Sequence, residues 1–282
     1  MMRLMRVTFQ GERGAFSEEA ARRLLGDRIE LVPSASFEEA FRRLRRRDVE
    51  CGLLPIENTL AGSVYENYDL LLRYRLPIVA ETRARIVHNL IAAPGVKFGQ
   101  LRRVFSHPVA LGQCQNFLRR NPRLQPVPFY DTAGSVKMLM EQRLADAAAI
   151  AAAAAAGIYG ARILRRGIED DQENYTRFFL LLPGKGPRPK LPRLGRPDKT
   201  SVVFATPNVP GSLFRSLAVF ALRDINLTKI ESRPLRGRPW EYFFYLDFLG
   251  SPEEPRCSNA LRHLKELSEF LHVLGNYPRA RE

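Results

Sequence analysis

The sequence is poor in the residues that build metal and redox sites. Its 282 residues include 3 cysteines, 4 histidines and 1 tryptophan, and the cysteines lie far apart. This scatter argues against a disulfide framework and against zinc knuckles, which need closely spaced Cys or His ligands. We therefore predict a protein of a reducing compartment that has no metal site.

The chain also lacks long apolar runs and the common catalytic motifs. No stretch of about 18 apolar residues occurs, and the opening string MMRLMRVTFQ leads into an alternating strand pattern instead of an apolar leader. We predict a soluble, cytoplasmic protein with no membrane partner. Nucleotide-binding glycine motifs, His-Glu-x-x-His and a Ser/His/Asp order are absent as well.

Lysine is scarce, whereas arginine is abundant. Basic residues outnumber acidic ones by 44 to 30, which gives a formal net charge of +14. The excess is spread along the chain, and its densest cluster, at residues 42–47, lies on a predicted amphipathic helix. Nucleic-acid binders usually gather basic and aromatic residues on one face. We interpret the charge as a solvated surface, with a basic cleft for a small polyanion as the alternative, and predict no nucleic-acid partner.

Strand and helix patterns alternate through residues 1–184, which is typical of an α/β sheet. A capping box that begins at Ser36 predicts the start of one helix. We predict two lobes, the first from residues 1–77 with 168–184 and the second from residues 78–167. A cleft between them is the expected ligand site.

A linker and a second domain complete the predicted organisation. Proline, glycine and basic residues fill positions 185–198 and exclude regular structure there. Residues 199–282 then show the order strand, helix, strand, strand, helix, strand. This βαββαβ order is ferredoxin-like.

Polar clusters occur where the pattern places strand ends or loops, the positions at which open α/β sheets bind ligands. These clusters are residues 55–59, 106–113, 131–133 and 174–178. None is specific by itself, because Glu57 could be an ordinary surface carboxylate and Ser106 could cap the next helix. Arg177 is less ordinary, since an arginine within an apolar strand must reach solvent, a partner or an anion.

Several strings resemble one enzyme family. GERGAFSEEAA, GLLPIENTLAGSVYENYDLL, VFSHPVALGQC, YDTAGSVKML and NYTRFFLL are similar, in this order over residues 5–182, to the catalytic domain of prephenate dehydratases. From residue 199 the chain resembles the ACT regulatory domain of these enzymes, with ESRP at residues 231–234 as the most diagnostic string. The resemblance implies a two-lobed catalytic domain similar to type II periplasmic binding proteins. Because no chorismate mutase-like segment precedes residue 3, it also implies a single-activity enzyme.

The resemblance further implies the chemistry and its residues. Prephenate dehydratases are carbon–oxygen lyases of L-phenylalanine biosynthesis, and they convert prephenate to phenylpyruvate without a cofactor. By resemblance, the catalytic residues are Thr176, Arg177, Glu57, Asn58, Ser106 and Gln113. Thr176 would act at the leaving hydroxyl, and the planar fork of Arg177 suits a clamp on one carboxylate. Because a threonine is a poor acid, a proton source is needed, and Glu57 is the candidate if burial raises its pKa. The remaining substrate-binding residues would be Thr59, Thr132, Ala133 and Phe178.

The resemblance also implies regulation by L-phenylalanine, bound between two ACT domains of a homodimer or homotetramer. The effector-binding residues would be Gly211, Ser212, Leu213, Glu231, Ser232 and Arg233. The chain departs from the family in having Ser212 where alanine is usual and in the apolar run at residues 151–156. Two alternative functions stay open, an arogenate dehydratase and a non-enzymatic amino-acid sensor. For the second domain, the alternative to effector binding is that it only holds two copies of the chain together as a dimer.

Overall fold

The structure is a computed structural model that describes residues 4–184, 186–235, 237–238 and 240–280. The chain divides into two compact units, and each is discontinuous in sequence. Unit 1 consists of Met1–Val64 and Arg83–Phe178, whereas unit 2 consists of Tyr65–Thr82 and Phe179–Glu282. The predicted boundary at residue 184 therefore does not separate the compact units, because residues 65–82 pack with the C-terminal segment.

The order of helices and strands alternates regularly, as the sequence predicts. The strands are β1 (Met5–Gln10), β2 (Ile29–Ser34), β3 (Cys51–Asn58), β4 (Gly62–Ser63), β5 (Ile78–Arg85), β6 (Asn89–Ala92), β7 (Arg103–Ser106), β8 (Gln125–Pro128), β9 (Ala147–Ala151), β10 (Arg162–Arg165), β11 (Tyr175–Leu181), β12 (Lys199–Ala205), β13 (Leu227–Pro234), β14 (Tyr242–Leu249) and β15 (Phe270–Tyr277). The helices are α1 (Phe16–Leu25), α2 (Phe37–Arg46), α3 (Tyr65–Tyr74), α4 (Pro108–Gly112), α5 (Gln115–Arg119), α6 (Thr132–Gln142), α7 (Ala153–Tyr159), α8 (Ser212–Ala221) and α9 (Pro255–Leu267). None of these helices is both long and apolar enough to cross a membrane.

The first 182 residues form two sheets, one in each lobe of an α/β architecture. The first sheet has the order β2-β1-β3-β11-β5 with β4 added on β3, and the second has the order β10-β6-β9-β7-β8. The lobe boundary predicted at residue 77 is wrong, because β5 (Ile78–Arg85) belongs to the first sheet. Sheet membership depends on pairing with distant strands, and the alternation within one strand does not encode that pairing.

Local signals account for the elements that the sequence predicts well. The Ser36 side chain accepts a hydrogen bond from Glu39 N at 3.1 Å, and Glu39 returns one to Ala35 N at 2.8 Å, so α2 begins at the predicted box. In β9, Ala147, Ala149 and Ala151 face one buried cluster, whereas Ala148 and Ile150 face another. The alanine run is therefore a central strand covered on both faces.

Unit 2 contains an antiparallel sheet of order β13-β14-β12-β15, which is the ferredoxin-like order predicted for a βαββαβ chain. Helices α8 and α9 cover one face of it with a shared apolar core. Helix α3 of the same unit contacts the sheet through Tyr68, whose carbonyl accepts a hydrogen bond from the Tyr245 hydroxyl at 2.8 Å. A buried ion pair of 3.1 Å joins Lys199 to Glu81. None of the described residues in the stretch 186–198 lies in a helix or strand.

Candidate active site

Unit 1 contains a cavity of about 440 Å³ that is lined by residues of both lobes. Its wall includes residues 15–17 at the start of α1, Asn58 at the end of β3 with residues 61–64 beyond it, four residues around α4, residues 130–132 at the start of α6, and two side chains of β11. Most of these segments are strand ends or helix starts, the positions at which α/β proteins usually bind ligands. The predicted polar clusters therefore do meet at one cavity.

Thr176 and Asn58 lie together on this wall, on neighbouring strands β11 and β3. Asn58 Nδ2 donates to Thr176 Oγ1 at 3.0 Å, to Asn174 Oδ1 at 2.7 Å and to the Tyr175 carbonyl at 3.1 Å. Because Thr176 Oγ1 accepts a hydrogen bond, its own hydrogen is available to a group in the cavity. The arrangement makes Thr176 a hydrogen-bond donor towards a ligand.

The backbone fixes the orientation of the Asn58 amide. Its Oδ1 accepts hydrogen bonds from the backbone N–H groups of Leu60 and Ala61 at 3.0 and 2.8 Å, so the NH₂ group must point towards Thr176. Gln113 Nε2 adds a third donor to Asn58 Oδ1 at 3.2 Å. Since backbone N–H groups can only donate, this anchor determines the direction of every bond in the network.

His88 extends the network behind Gln113. Gln113 Oε1 accepts hydrogen bonds from Asn174 Nδ2 and His88 Nε2, both at 2.9 Å. His88 therefore carries its proton on Nε2, and its Nδ1 is buried without a hydrogen-bond partner among the described residues. Burial lowers the pKa of His88, which agrees with a neutral ring.

Arg177 and Glu57 do not reach the cavity, and this corrects two predicted roles. Successive side chains of a strand point to opposite faces. Thr176 and Phe178 of β11 line the cavity, whereas Arg177 is buried on the other face, with its Nη1 3.5 Å from Glu57 Oε2. Neither side chain is placed to clamp a substrate carboxylate or to supply a proton. Together they form an ion pair beneath the sheet.

Three further predicted residues lie outside the wall. Ser106 is fully buried, and its hydroxyl donates to the Ile150 carbonyl at 2.6 Å, so it ties β7 to β9. Ala133 is part of the apolar core. Thr59 donates to the Glu173 carbonyl at 2.7 Å and accepts from Tyr175 N at 3.0 Å, which secures the loop after β3. Thr132 does line the cavity, as do Asn58, Gln113, Thr176 and Phe178. The catalytic and binding roles of these five stay predictions.

Seven polar or titratable residues of the wall were not predicted as site residues, namely Gln10, Ser17, Ser63, His88, His107, Tyr130 and Asp131. Burial lowers the pKa of His107 and raises the pKa of Asp131. Ser17 stands in the GERGAFSE string, and Asp131 precedes the predicted α6, so both strings contained the signal. Among the residues that the structure describes, the lining includes no lysine or arginine, so this wall does not have the composition of a basic cleft.

The start of α1 presents donors to the cavity. Its N-cap residue, Ala15, offers no side-chain hydrogen bond to the helix. Ser17 is 8% exposed, lines the cavity, and has no hydroxyl hydrogen bond within the part of the chain that the structure describes. The free N–H groups of a helix start and its positive dipole end attract anions. Together with the Ser17 hydroxyl they can bind a carboxylate.

The effector residues predicted before α8 form the turn that starts this helix. Gly211 has φ of +78°, a left-handed conformation that favours glycine. Ser212 is buried, and its carbonyl accepts from the Ser216 hydroxyl at 3.0 Å. Leu213 packs against the core of the C-terminal sheet.

The effector residues predicted on β13 are divided between its two faces. Arg233 makes paired hydrogen bonds of 3.0 and 3.2 Å to Asp69 of α3, and Glu231, on the same face, lies 3.5 Å from Lys229. Ser232 lies on the opposite, exposed face. Arg233 and Glu231 thus make ion pairs within their own unit. The effector role of all six residues stays a prediction.

Comparisons with known proteins identify the family. Residues 7–185 match the family model of prephenate dehydratase. Arogenate dehydratase 2 of Petunia hybrida is 48% identical over 97% of this chain and 72% of its own. The solved prephenate dehydratase of Arthrobacter aurescens, in complex with L-Phe, is 32% identical with a TM-score of 0.87, covering 98% of this chain and 90% of that chain. A structure described as GqqA, a novel type of quorum quenching acylase, is 34% identical with a TM-score of 0.86, covering 98% of both chains.

The names of related proteins correct the predicted localisation. Arabidopsis thaliana relatives that are 44% to 47% identical to this chain are named chloroplastic arogenate dehydratase/prephenate dehydratases. The prediction of a cytoplasmic protein is therefore wrong. It rested on the lack of an apolar leader, a feature that does not distinguish the cytoplasm from a plastid.

The family assignment rests on the share of the chain that is matched as well as on the sequence identity. The family model spans more than half of the residues, and the Petunia relative matches almost the whole chain. No group of His, Cys, Asp and Glu among the described residues is arranged to bind a metal ion. The chain belongs to the prephenate dehydratase family of carbon–oxygen lyases.

Proposed function

We propose that the cavity of unit 1 converts prephenate to phenylpyruvate. The bond between the ring and its carboxylate breaks and releases carbon dioxide, the bonding electrons make the ring aromatic, and the ring hydroxyl leaves as water after it takes up one proton. Aromatisation drives the reaction, so the protein has to orient the substrate and assist the departing hydroxide. The supporting observation is the amide network that leaves Thr176 as a donor into the cavity.

In this proposal Thr176 stabilises the departing hydroxide by hydrogen bonding. A threonine alcohol is too weak an acid to donate its proton outright near neutral pH, so the proton comes from water or from a titratable group of the cavity. Asn58 and Gln113 hold the Thr176 hydroxyl in its donating orientation. The start of α1 and Ser17 bind one substrate carboxylate, the task that the sequence assigns to Arg177.

The test compares Thr176→Val with Thr176→Ser in phenylpyruvate formation from prephenate. Valine keeps the side-chain shape and removes the donor, so kcat should fall by about two to four orders of magnitude. Serine keeps the hydroxyl and should retain most of the activity. Wild-type turnover by the valine variant would contradict the proposed role.

We further propose that unit 2 contains an ACT domain that binds L-phenylalanine and regulates the enzyme as a homodimer or homotetramer. The ferredoxin-like strand order and the ESRP string support this, and a structural relative was solved with L-Phe. The binding residues would be Gly211, Ser212, Leu213, Glu231, Ser232 and Arg233. L-Phenylalanine would regulate turnover by binding better to one arrangement of the assembly.

Calorimetry on the 282-residue chain tests the regulatory proposal, together with prephenate turnover in the presence of L-phenylalanine. Gly211→Ala adds a Cβ at a left-handed position and should weaken L-phenylalanine binding and the response of turnover to it. Gly26→Ala is the matched control, because Gly26 has φ of +80° with nothing within 4 Å of an added Cβ. Equal L-phenylalanine affinity in both variants would exclude the turn from the effector site.

A further inference from the structure

Four side chains of the cavity wall donate hydrogen bonds one after another in the same direction. His88 Nε2 donates to Gln113 Oε1 at 2.9 Å, and Gln113 Nε2 donates to Asn58 Oδ1 at 3.2 Å. Asn58 Nδ2 then donates to Thr176 Oγ1 at 3.0 Å, which leaves the hydroxyl hydrogen of Thr176 available to a ligand. We call these four side chains the donor series. His88 is its first member and the only one of the four that can titrate.

The common direction of these bonds strengthens the last donor. When an amide oxygen accepts a hydrogen bond, the N–H group of the same amide becomes a better donor, so the bonds of such a series polarise one another. Gln113 and Asn58 each accept at the oxygen and donate through the nitrogen. Both therefore pass the polarisation on. The Thr176 hydroxyl is a stronger donor at the end of the series than it would be alone.

One segment of backbone anchors both His88 and Gln113. Ile168 N donates to the His88 carbonyl at 2.9 Å, and Asp170 N donates to the Gln113 carbonyl at 2.8 Å. His88 N in turn donates to the Glu169 carboxylate at 2.9 Å. The two side chains that begin the donor series are thus held next to each other by three consecutive residues.

The His88 ring is placed to make this one donor bond. It is 2% exposed and packs edge-on against Phe16, with 5.6 Å between the ring centroids. Within the part of the chain that the structure describes, its Nδ1 has no hydrogen-bond partner, and Nε2 bonds Gln113. A ring whose hydrogen bond runs through Nε2 to an acceptor is fixed in the tautomer that carries the proton there.

We propose that His88 is a positioning residue of the dehydration reaction, and that it acts through the donor series by holding and polarising Gln113. This inference rests on the proposed function, because it adds a residue to the machinery around Thr176. Removing the His88 donor should lower kcat, since the departing hydroxide is assisted less. KM should change little, because binding of the substrate carboxylate does not depend on the donor series.

The experiment measures kcat and KM for prephenate with the wild type, His88→Met and His88→Gln. Methionine fills a similar volume without a donor, so kcat should fall about tenfold while KM stays within about twofold. Glutamine keeps an N–H donor at the end of its side chain and should hold kcat within about threefold of the wild type. Equal losses of kcat in both variants would overturn the inference.

His272→Met is the matched control for the loss of a histidine. His272 lies on β15 of unit 2 and is not part of the cavity wall. It should leave kcat and KM within about twofold of the wild type, the scatter expected for an independent site. An equal fall of kcat in this variant would show that the effect of His88→Met is not specific to the donor series, and would overturn the inference.

A double-mutant cycle separates the donor series from direct contact between His88 and the substrate. In the Thr176→Val background the last donor is absent, so His88→Met should lower kcat further by no more than about twofold. A tenfold loss in both backgrounds would overturn the inference, because His88 would then act independently of Thr176. Thermal melts verify that each variant folds.

The tautomer of His88 can be read from long-range proton–nitrogen NMR spectra of the wild type, so this part of the test needs no variant. We expect a proton on Nε2 and none on Nδ1 at neutral pH. A neutral ring with its proton on Nδ1 would overturn the inference, because Gln113 Oε1 can only accept and would then face a nitrogen without a proton.

The remaining outcomes separate the two proposals. If Thr176→Val lowers kcat and His88→Met does not, the inference is overturned and the proposed function stands. If Thr176→Val turns over prephenate like the wild type, or if the folded wild type forms no phenylpyruvate, the proposed function fails and the inference fails with it.

Discussion

Replacing Asn58 with aspartate tests whether the amide network controls the Thr176 hydroxyl. The change exchanges one NH₂ group for an oxygen and leaves the side-chain shape unaltered. Three acceptors surround that NH₂ group at 2.7 to 3.1 Å. Two of them, Asn174 Oδ1 and the Tyr175 carbonyl, would lose their donor from this residue. The Thr176 hydroxyl would turn and donate to the new carboxylate, away from the cavity.

The expected losses follow from these contacts. The Tyr175 carbonyl keeps a hydrogen bond from Thr59 N at 2.9 Å, so Asn174 Oδ1 is the acceptor that loses its donor. A buried acceptor without a donor costs about 1–3 kcal/mol, and we expect Asn58→Asp to lower the free energy of unfolding by about this amount, measured by urea denaturation. Because Thr176 no longer donates into the cavity, kcat for prephenate should fall by about two to three orders of magnitude. Asn259→Asp, an exposed site on α9, controls for the added charge.

A double-mutant cycle distinguishes lost orientation from general damage. In the Thr176→Val background the donor is already absent, so Asn58→Asp should lower kcat further by no more than about threefold. The same hundredfold loss in both backgrounds would refute the reasoning, because Asn58 would then act independently of Thr176.

Gly14 has φ of +84°, and an added Cβ would lie 2.7 Å from Ala155 Cα, whereas Gly26 has φ of +80° and open space. In urea denaturation we expect Gly14→Ala to lower the free energy of unfolding by about 2–4 kcal/mol and Gly26→Ala by about 1 kcal/mol; equal losses would show that the close approach to Ala155 costs nothing. Burial lowers the pKa of His88, so below about pH 6.5 the unfolded chain binds more protons than the folded chain, and stability falls as the pH decreases. His88→Gln should reduce this fall in thermal melts between pH 7 and 5, and an unchanged pH dependence would contradict the assignment.

The local sequence pattern was sufficient to predict most of the helices and strands. The Ser36 box marks the start of α2, and the alanine run at residues 147–151 forms a buried strand, because each depends on neighbours in sequence. Helix α3 was not predicted. It packs in unit 2 through Tyr68 and Asp69. These contacts are with residues far away in the sequence, so the hydrophobic periodicity of the helix itself does not indicate them. The misplaced lobe boundary has the same origin, since the partner of β5 in the sheet is β11, almost a hundred residues away.

The candidate site shows the same division between local and non-local information. Strand-end clusters placed Asn58, Gln113 and Thr176 near one another, because the loops of both sheets meet at one cavity. Strand alternation also separates Thr176 from Arg177, but β11 is buried along most of its length, so alternation alone does not say which face meets the cavity. Pairing with β3 decides this, by bringing Asn58 to the side of Thr176.

The position of Arg177 changes the electrostatic account of substrate binding. The sequence assigns a guanidinium clamp to a dianionic substrate, but this guanidinium is buried with Glu57 on the other face of the sheet. Neutral donors at the start of α1 are left to hold a carboxylate, while Asp131 adds a negative charge to the same wall. Under the proposed function, the orientation of a dianionic substrate would therefore depend on backbone and hydroxyl donors instead of on a guanidinium.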